Sequence, residues 1–145
     1  MHQLREWQNL GLIITTLLFL SGLALGDGAD APAKIMTMSN PVELSPTVLT
    51  KARDSYEKNC LRCHGVSGKG DGPSAEGMPI KPFDLTDTKQ IAELTDGEIY
   101  WAITSGSEWM PAFGIKLTVR ERWGLVRFVR EISKTKPNTV VRRKN

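Results

Sequence analysis

A chain of 145 residues is sized for one domain with a modest core. Its net charge of +3 and isoelectric point near 9.0 would suit a nucleic-acid binder. However, Lys134, Lys136, Arg142, Arg143 and Lys144 follow the last acid, Glu131, and their five positive charges leave about −2 on residues 1–133; no aromatic stacking pattern accompanies them, so nucleic acid is not an expected partner.

The first predicted element is an N-terminal hydrophobic helix. From Trp7 to Gly26 there is no charged residue, and twenty such residues span about 30 Å as a helix, roughly one hydrocarbon core. Arg5 and the α-amino group precede the run and Asp27 and Asp30 follow it, which favours an N-in, C-out orientation. Residues 1–26 are therefore expected to be a transmembrane anchor, with the bilayer contacted through residues 7–26 and the rest of the chain on the periplasmic or exported side. A cleaved signal segment is the other reading, with small residues around Ala24 and Ala29 as processing sites. Residues 27–45, rich in Ala, Pro, Ser, Asn and Asp without a sustained period, are expected to form a flexible linker spanning about 25 Å.

Ser45-Pro46 marks a helix start, with Ser as N-cap and Pro at the first helical position. Leu49, Ala52, Tyr56 and Cys60 follow at three- and four-residue steps, so one face of this helix runs into Cys60-Leu61-Arg62-Cys63-His64. That pentapeptide uses both cysteines and one of the two histidines of the chain. Two thiols three positions apart lie on one side of a helical turn, where both can add across the vinyl groups of a porphyrin. The neutral imidazole that follows can coordinate the iron. The motif thus reads as a covalent haem c site supplying attachment and one axial ligand together.

Three other readings compete. A zinc site would need a fourth ligand, and only the remote His2 remains. A thioredoxin-like redox pair would need a strand before it and a parallel sheet around it, and no such pattern occurs. A disulfide between Cys60 and Cys63 would close only a tiny loop.

Gly65 to Pro73 is a glycine-rich segment, but it lacks the Gly-Lys-Ser/Thr of a phosphate loop and the acidic steps of a calcium loop. Its glycines fit tight turns beside a porphyrin. A short helical turn is expected near Lys89 to Leu94. The capping-box pattern Thr95-Asp96-Gly97-Glu98 starts a further helix that Gly106 stops, and Thr118 with Glu121 starts the last, which carries Leu125, Phe128, Val129 and Ile132 inward. No segment argues for a strand. The basic tail, residues 134–145, reads as a solvated end or an electrostatic contact for anionic lipid or an acidic partner.

In this order the residues resemble the class I, mono-haem cytochromes c in a membrane-anchored form. The resemblance covers residues 46–133 and rests on the Cys60–Gly65 motif, Gly70-Asp71-Gly72-Pro73, Gly106-x-x-x-Met110-Pro111-Ala112-Phe113 and the closing apolar helix. It implies an all-α domain wrapped around one covalent haem, in which the opening and closing helices cross. It also implies Met110 as the second axial ligand and the Pro73 carbonyl as acceptor for the other ring nitrogen of His64. Met78, also followed by proline, is the rival ligand. Trp109, Trp101, Tyr100 and Phe113 are expected to wall the haem or pack the core, and Tyr56 and Phe128 to be helix contacts.

The function implied is one-electron transfer without a substrate on the metal, for a membrane-embedded respiratory or photosynthetic redox complex or its soluble redox partner. Two alternatives stay open: a dedicated electron-accepting subunit of a periplasmic dehydrogenase, and a haem enzyme with an open sixth position. For the latter no distal acid-base pair is evident.

Overall fold

The computed structural model describes residues 32–134, in which six helices and no strand occur: α1 (Ala33–Met36), α2 (Pro46–Asn59), α3 (Leu61–His64), α4 (Thr88–Glu93), α5 (Asp96–Ser105) and α6 (Val119–Lys134). The all-α expectation is met over these residues. The hydrophobic run 7–26 and the basic tail beyond Lys134 lie outside them. Among the described residues no helix is long and apolar enough to cross a membrane.

The helix starts follow from their caps. Ser45 Oγ accepts from the Val48 N–H with Pro46 in the first turn, and Asp87 accepts from the N–H groups of Lys89 and Gln90 to open α4. Thr95 and Glu98 form the full capping box of α5. Thr118 and Glu121 do the same for α6, with N–H donors 3.2 and 2.8 Å from the reciprocal side-chain oxygens. Each box satisfies two of the backbone donors a helix start leaves free, which is why these four-residue signals place the boundaries.

Packing is organised on α6. Its inward stripe Leu125, Phe128, Val129 and Ile132 is buried, and α2 and α5 both lie against it. Tyr56 of α2 meets Phe128 with ring centroids 5.2 Å apart, and Ala52 faces Gly124, so the opening and closing helices approach closely. Tyr100 of α5 stacks on Trp123 at 4.2 Å. Arg130 then ties three elements together, pairing with Asp96 at 2.8 Å and donating to the carbonyls of Ile91 and Leu94.

The flexible linker expected over 27–45 is corrected from residue 32 onward. The segment forms α1 and then straps across α5 and α6. Thr95 Oγ1 donates to the Met36 carbonyl at 2.8 Å, and Asn40 Nδ2 to the Trp123 carbonyl at 2.9 Å. Arg127 donates to the carbonyls of Val42 and Asn40, and Val42 is buried. Gly97 makes room for this strap: a Cβ there would lie 1.7 Å from the Ile35 oxygen. Pro, Ala and Ser suggested coil, yet backbone carbonyls docked on distant side chains leave no periodic trace in a sequence. The strap over residues 35–42 is therefore part of the packed unit, ahead of the expected start at 46, and α6 includes Lys134, one residue beyond the expected boundary.

Candidate functional site

The Cys60–His64 motif forms the single turn α3, continuing from α2 through Cys60, whose N–H donates to the Tyr56 carbonyl at 2.8 Å. Gly65, at φ 79°, ends it. The carbonyls left at the end of this turn are taken up by the glycine-rich segment: Gly70 N–H reaches His64, Gly72 N–H reaches Cys63, and Ser74 N–H reaches Arg62 at 2.7–3.1 Å. The Tyr56 hydroxyl donates to Gly65 O at 2.7 Å. The glycines thus hold the motif in place, as buried backbone groups require partners.

Met110 is positioned from the other side. Gly106, at φ 67°, turns the chain off α5, and a Cβ there would sit 2.3 Å from the Met110 oxygen. Ser107 N–H donates to that oxygen at 2.8 Å, while Phe113 and Gly114 bond back to Ile103 and Thr104. The loop is folded against the helix that precedes it, and glycine alone fits its first step.

These elements enclose two neighbouring cavities, of 210 and 500 Å³, which share Cys60, His64, Phe83 and Met110. The first is walled by Leu85, Ile91, Leu94, Ile99, Ile103, Leu125 and Val129. The second opens toward Met78, Ile80, Pro82, Trp109 and Phe113. Their size and apolar lining suit a small-molecule cofactor. A larger cleft of 650 Å³, lined by charged side chains such as Lys51, Lys58, Lys116 and Arg120, includes neither cysteine nor His64; the motif chemistry lies elsewhere.

The donor set fits a c-type haem. Both thiols are free. Burial pushes the Cys60 thiol up to about 12, with nearby Cys63 adding to the effect and Lys116 opposing it, so the sulfur here is a neutral thiol rather than a thiolate. Burial also lowers the pKa of His64, partly offset by the Phe83 carbonyl, and keeps the imidazole in its neutral, metal-binding form. His64 Nδ1 is 3.3 Å from that carbonyl, which leaves Nε2 to coordinate iron.

The partner of Nδ1 differs from the Pro73 carbonyl implied by the resemblance. The 82–85 run folds back on the glycine-rich segment, with Leu85 N–H bonded to Gly68 O, and the carbonyl that Nδ1 meets is that of Phe83. Of the four aromatic residues expected around the haem, Trp109 and Phe113 line the wider cavity. Tyr100 is core, stacked on Trp123, and Trp101 lines neither cavity. Met78 and Met110 both reach the wider cavity, but Met110 alone of the two also lines the inner one beside His64. Sequence reasoning missed the wall at Phe83, Leu85, Ile91 and Leu94. The Asp84 side chain caps Thr86 at 2.8 Å, and Leu85 N–H bonds Gly68 O at 2.7 Å; the Pro82-Phe83-Asp84-Leu85 run was the available signal.

A helical domain with opening and closing helices packed on each other beside an apolar cavity, and a Cys-x-x-Cys-His turn at the cavity wall, defines a class I, mono-haem cytochrome c domain. The chain belongs to the family described as cytochrome c oxidase, cbb3-type, subunit III, whose model matches residues 47–129. Membership implies covalently bound haem c. Among solved structures the chain is similar to one from the reducing HAO-like protein complex Kustc0457/Kustc0458 of Kuenenia stuttgartiensis. The two share 34% identity with a TM-score of 0.54, over 63% of this chain and 46% of that one; the match spans less than half of the relative's length. No curated protein matches the chain.

Proposed function

We propose that this protein is a one-electron carrier with a single haem c held through Cys60 and Cys63 and ligated by His64 and Met110. The observation that carries the reading is that His64, Cys60 and Met110 line the same apolar cavity. When bound, haem c supplies a reversible one-electron couple. Cys60 and Cys63 fix it to α3, His64 offers a neutral nitrogen, and Met110 a soft thioether that favours the ferrous state. The leucine, isoleucine and valine walls exclude water. With Met110 filling the sixth position, no open site remains for substrate, so the domain is not an enzyme in itself.

The hydrophobic run 7–26 supports retention in a membrane, with the haem domain on the periplasmic or exported side, serving a membrane-embedded redox complex or its soluble partner. A second reading, a subunit dedicated to one oxidoreductase, is favoured by the likeness to a chain of a redox protein complex. A pyridine haemochrome assay with a denaturing-gel haem stain tests the core of the proposal: covalent haem at one per chain is expected, and a colourless chain overturns it. Co-purification of a fixed catalytic partner from membranes separates the dedicated subunit from the shuttle.

A further inference from the structure

Three arginines of α6 project into the structure, and they are not alike. Arg130 is neutralised by Asp96. Arg127 is half-buried and bonded to strap carbonyls. Arg122 is only 7% exposed, and among the described residues no carboxylate pairs with it. Its Nη1 donates to Thr104 Oγ1 at 2.9 Å, its Cζ lies 5.0 Å from the Tyr100 ring centroid, and its Nε is buried without a partner.

Burying a guanidinium without a counter-ion is costly. Thr104 stands in the last turn of α5, whose carbonyl end attracts a cation, and the Tyr100 ring attracts it too. Those contacts explain how the charge is tolerated. They do not explain why a charge is there, since an apolar side chain of similar volume would pack without the desolvation cost. Its place in the helix supplies a reason. Arg122 shares one stripe with Leu125 and Val129, at steps of three and seven residues, and both of these line the inner cavity.

We propose that Arg122 is an electrostatic tuning group, whose fixed, uncompensated positive charge favours the reduced state of the couple and raises its reduction potential. This rests on the electron-carrier reading above. Arg122 itself lines neither cavity, but reduction takes one electron from the redox partner and removes one unit of positive charge from the site, so a buried cation on the helix stripe that walls the cavity disfavours the oxidised form. Because the charge is buried, salt screens it weakly.

Redox titration of the holoprotein tests this, with Arg122→Met, Arg122→Lys, Thr104→Asp and Arg127→Gln compared to wild type. Arg122→Met is expected to lower the midpoint, raising the ferric-to-ferrous ratio about fivefold at a fixed ambient potential. Thr104→Asp, which sets a carboxylate against the retained Arg122, should shift it in the same direction, and both shifts should survive high salt. Arg122→Lys and Arg127→Gln should stay near wild type. A folded Arg122→Met or Thr104→Asp protein with the wild-type potential overturns the proposal, as does an Arg122→Lys shift as large as that of Arg122→Met, which would make the effect one of packing. Should Arg122→Met not fold, Thr104→Asp decides alone. Failure of the underlying reading is distinct: it shows as absence of covalent haem in the wild type.

Discussion

The Tyr56 hydroxyl donates a 2.7 Å hydrogen bond to the carbonyl of Gly65, joining the face of α2 that packs on Phe128 to the residue immediately after His64. The phenol is 97% shielded from solvent, being only 3% exposed, and its pKa is raised chiefly by burial, so the group is a neutral donor at any working pH. Packing of the helix crossing and placement of the axial histidine are thereby coupled through one side chain.

Tyr56→Phe should keep the ring contact with Phe128 and leave the Gly65 carbonyl with only the longer 3.3 Å bond from the Gly68 N–H. Because the carbonyl keeps one partner, the loss is that of one net hydrogen bond, about 0.5–1.5 kcal/mol. Urea unfolding of the holoprotein should show a lowered midpoint with an unchanged slope; a midpoint equal to wild type would mean the bond contributes nothing net.

Gly97→Ala is ordinarily a helix-favouring change worth about 1 kcal/mol. Here the added Cβ would meet the Ile35 oxygen at 1.7 Å, so the strap must move away from α5, which loosens the adjoining Thr95–Met36 bond. Limited proteolysis should cut between residues 33 and 45 faster in the variant, while haem attachment at Cys60 and Cys63 is unaffected. Equal cleavage rates would argue that the strap contributes little to holding this edge.

Acid should act through the α6 cap. The Glu121 carboxyl is held below its ordinary value, first by the Thr118 hydroxyl and then by the Thr118 N–H. The folded state therefore binds its proton less readily than the unfolded chain does. The resulting stabilisation is present above the unfolded carboxylate value of about 4.3 and is lost as pH falls through the folded one. Between about pH 6 and pH 3, wild type should lose more stability than Glu121→Gln. Parallel pH profiles would remove Glu121 from the acid response.

The helix starts were legible because each rests on local chemistry. Ser45-Pro46, Thr95 with Glu98, and Thr118 with Glu121 satisfy backbone donors within four residues, and the same bonds appear in the structure. The motif at Cys60–His64 was legible for a similar reason, since its function is encoded in spacing along one turn. What stayed hidden depends on distant pairing. Asn40 meets Trp123 across 83 positions and Arg127 meets Val42 across 85, so a strap read as a linker. Tyr100 looked like a cavity wall because aromatic residues suit either place; which one it takes depends on the rotation of α5 against Trp123. The outer partner of His64 was likewise set by a loop, Phe83, nineteen residues away.

On the proposed function, His64 and Met110 form the axial pair of one covalent haem. Ferric absorption spectra of the holoprotein and its Met110→Ala and Met78→Ala variants test it most directly. Met110→Ala should lose the red-region band of methionine-ligated ferric haem and fall in potential, and Met78→Ala should keep both. Survival of the band in Met110→Ala, with its loss in Met78→Ala, would contradict the account.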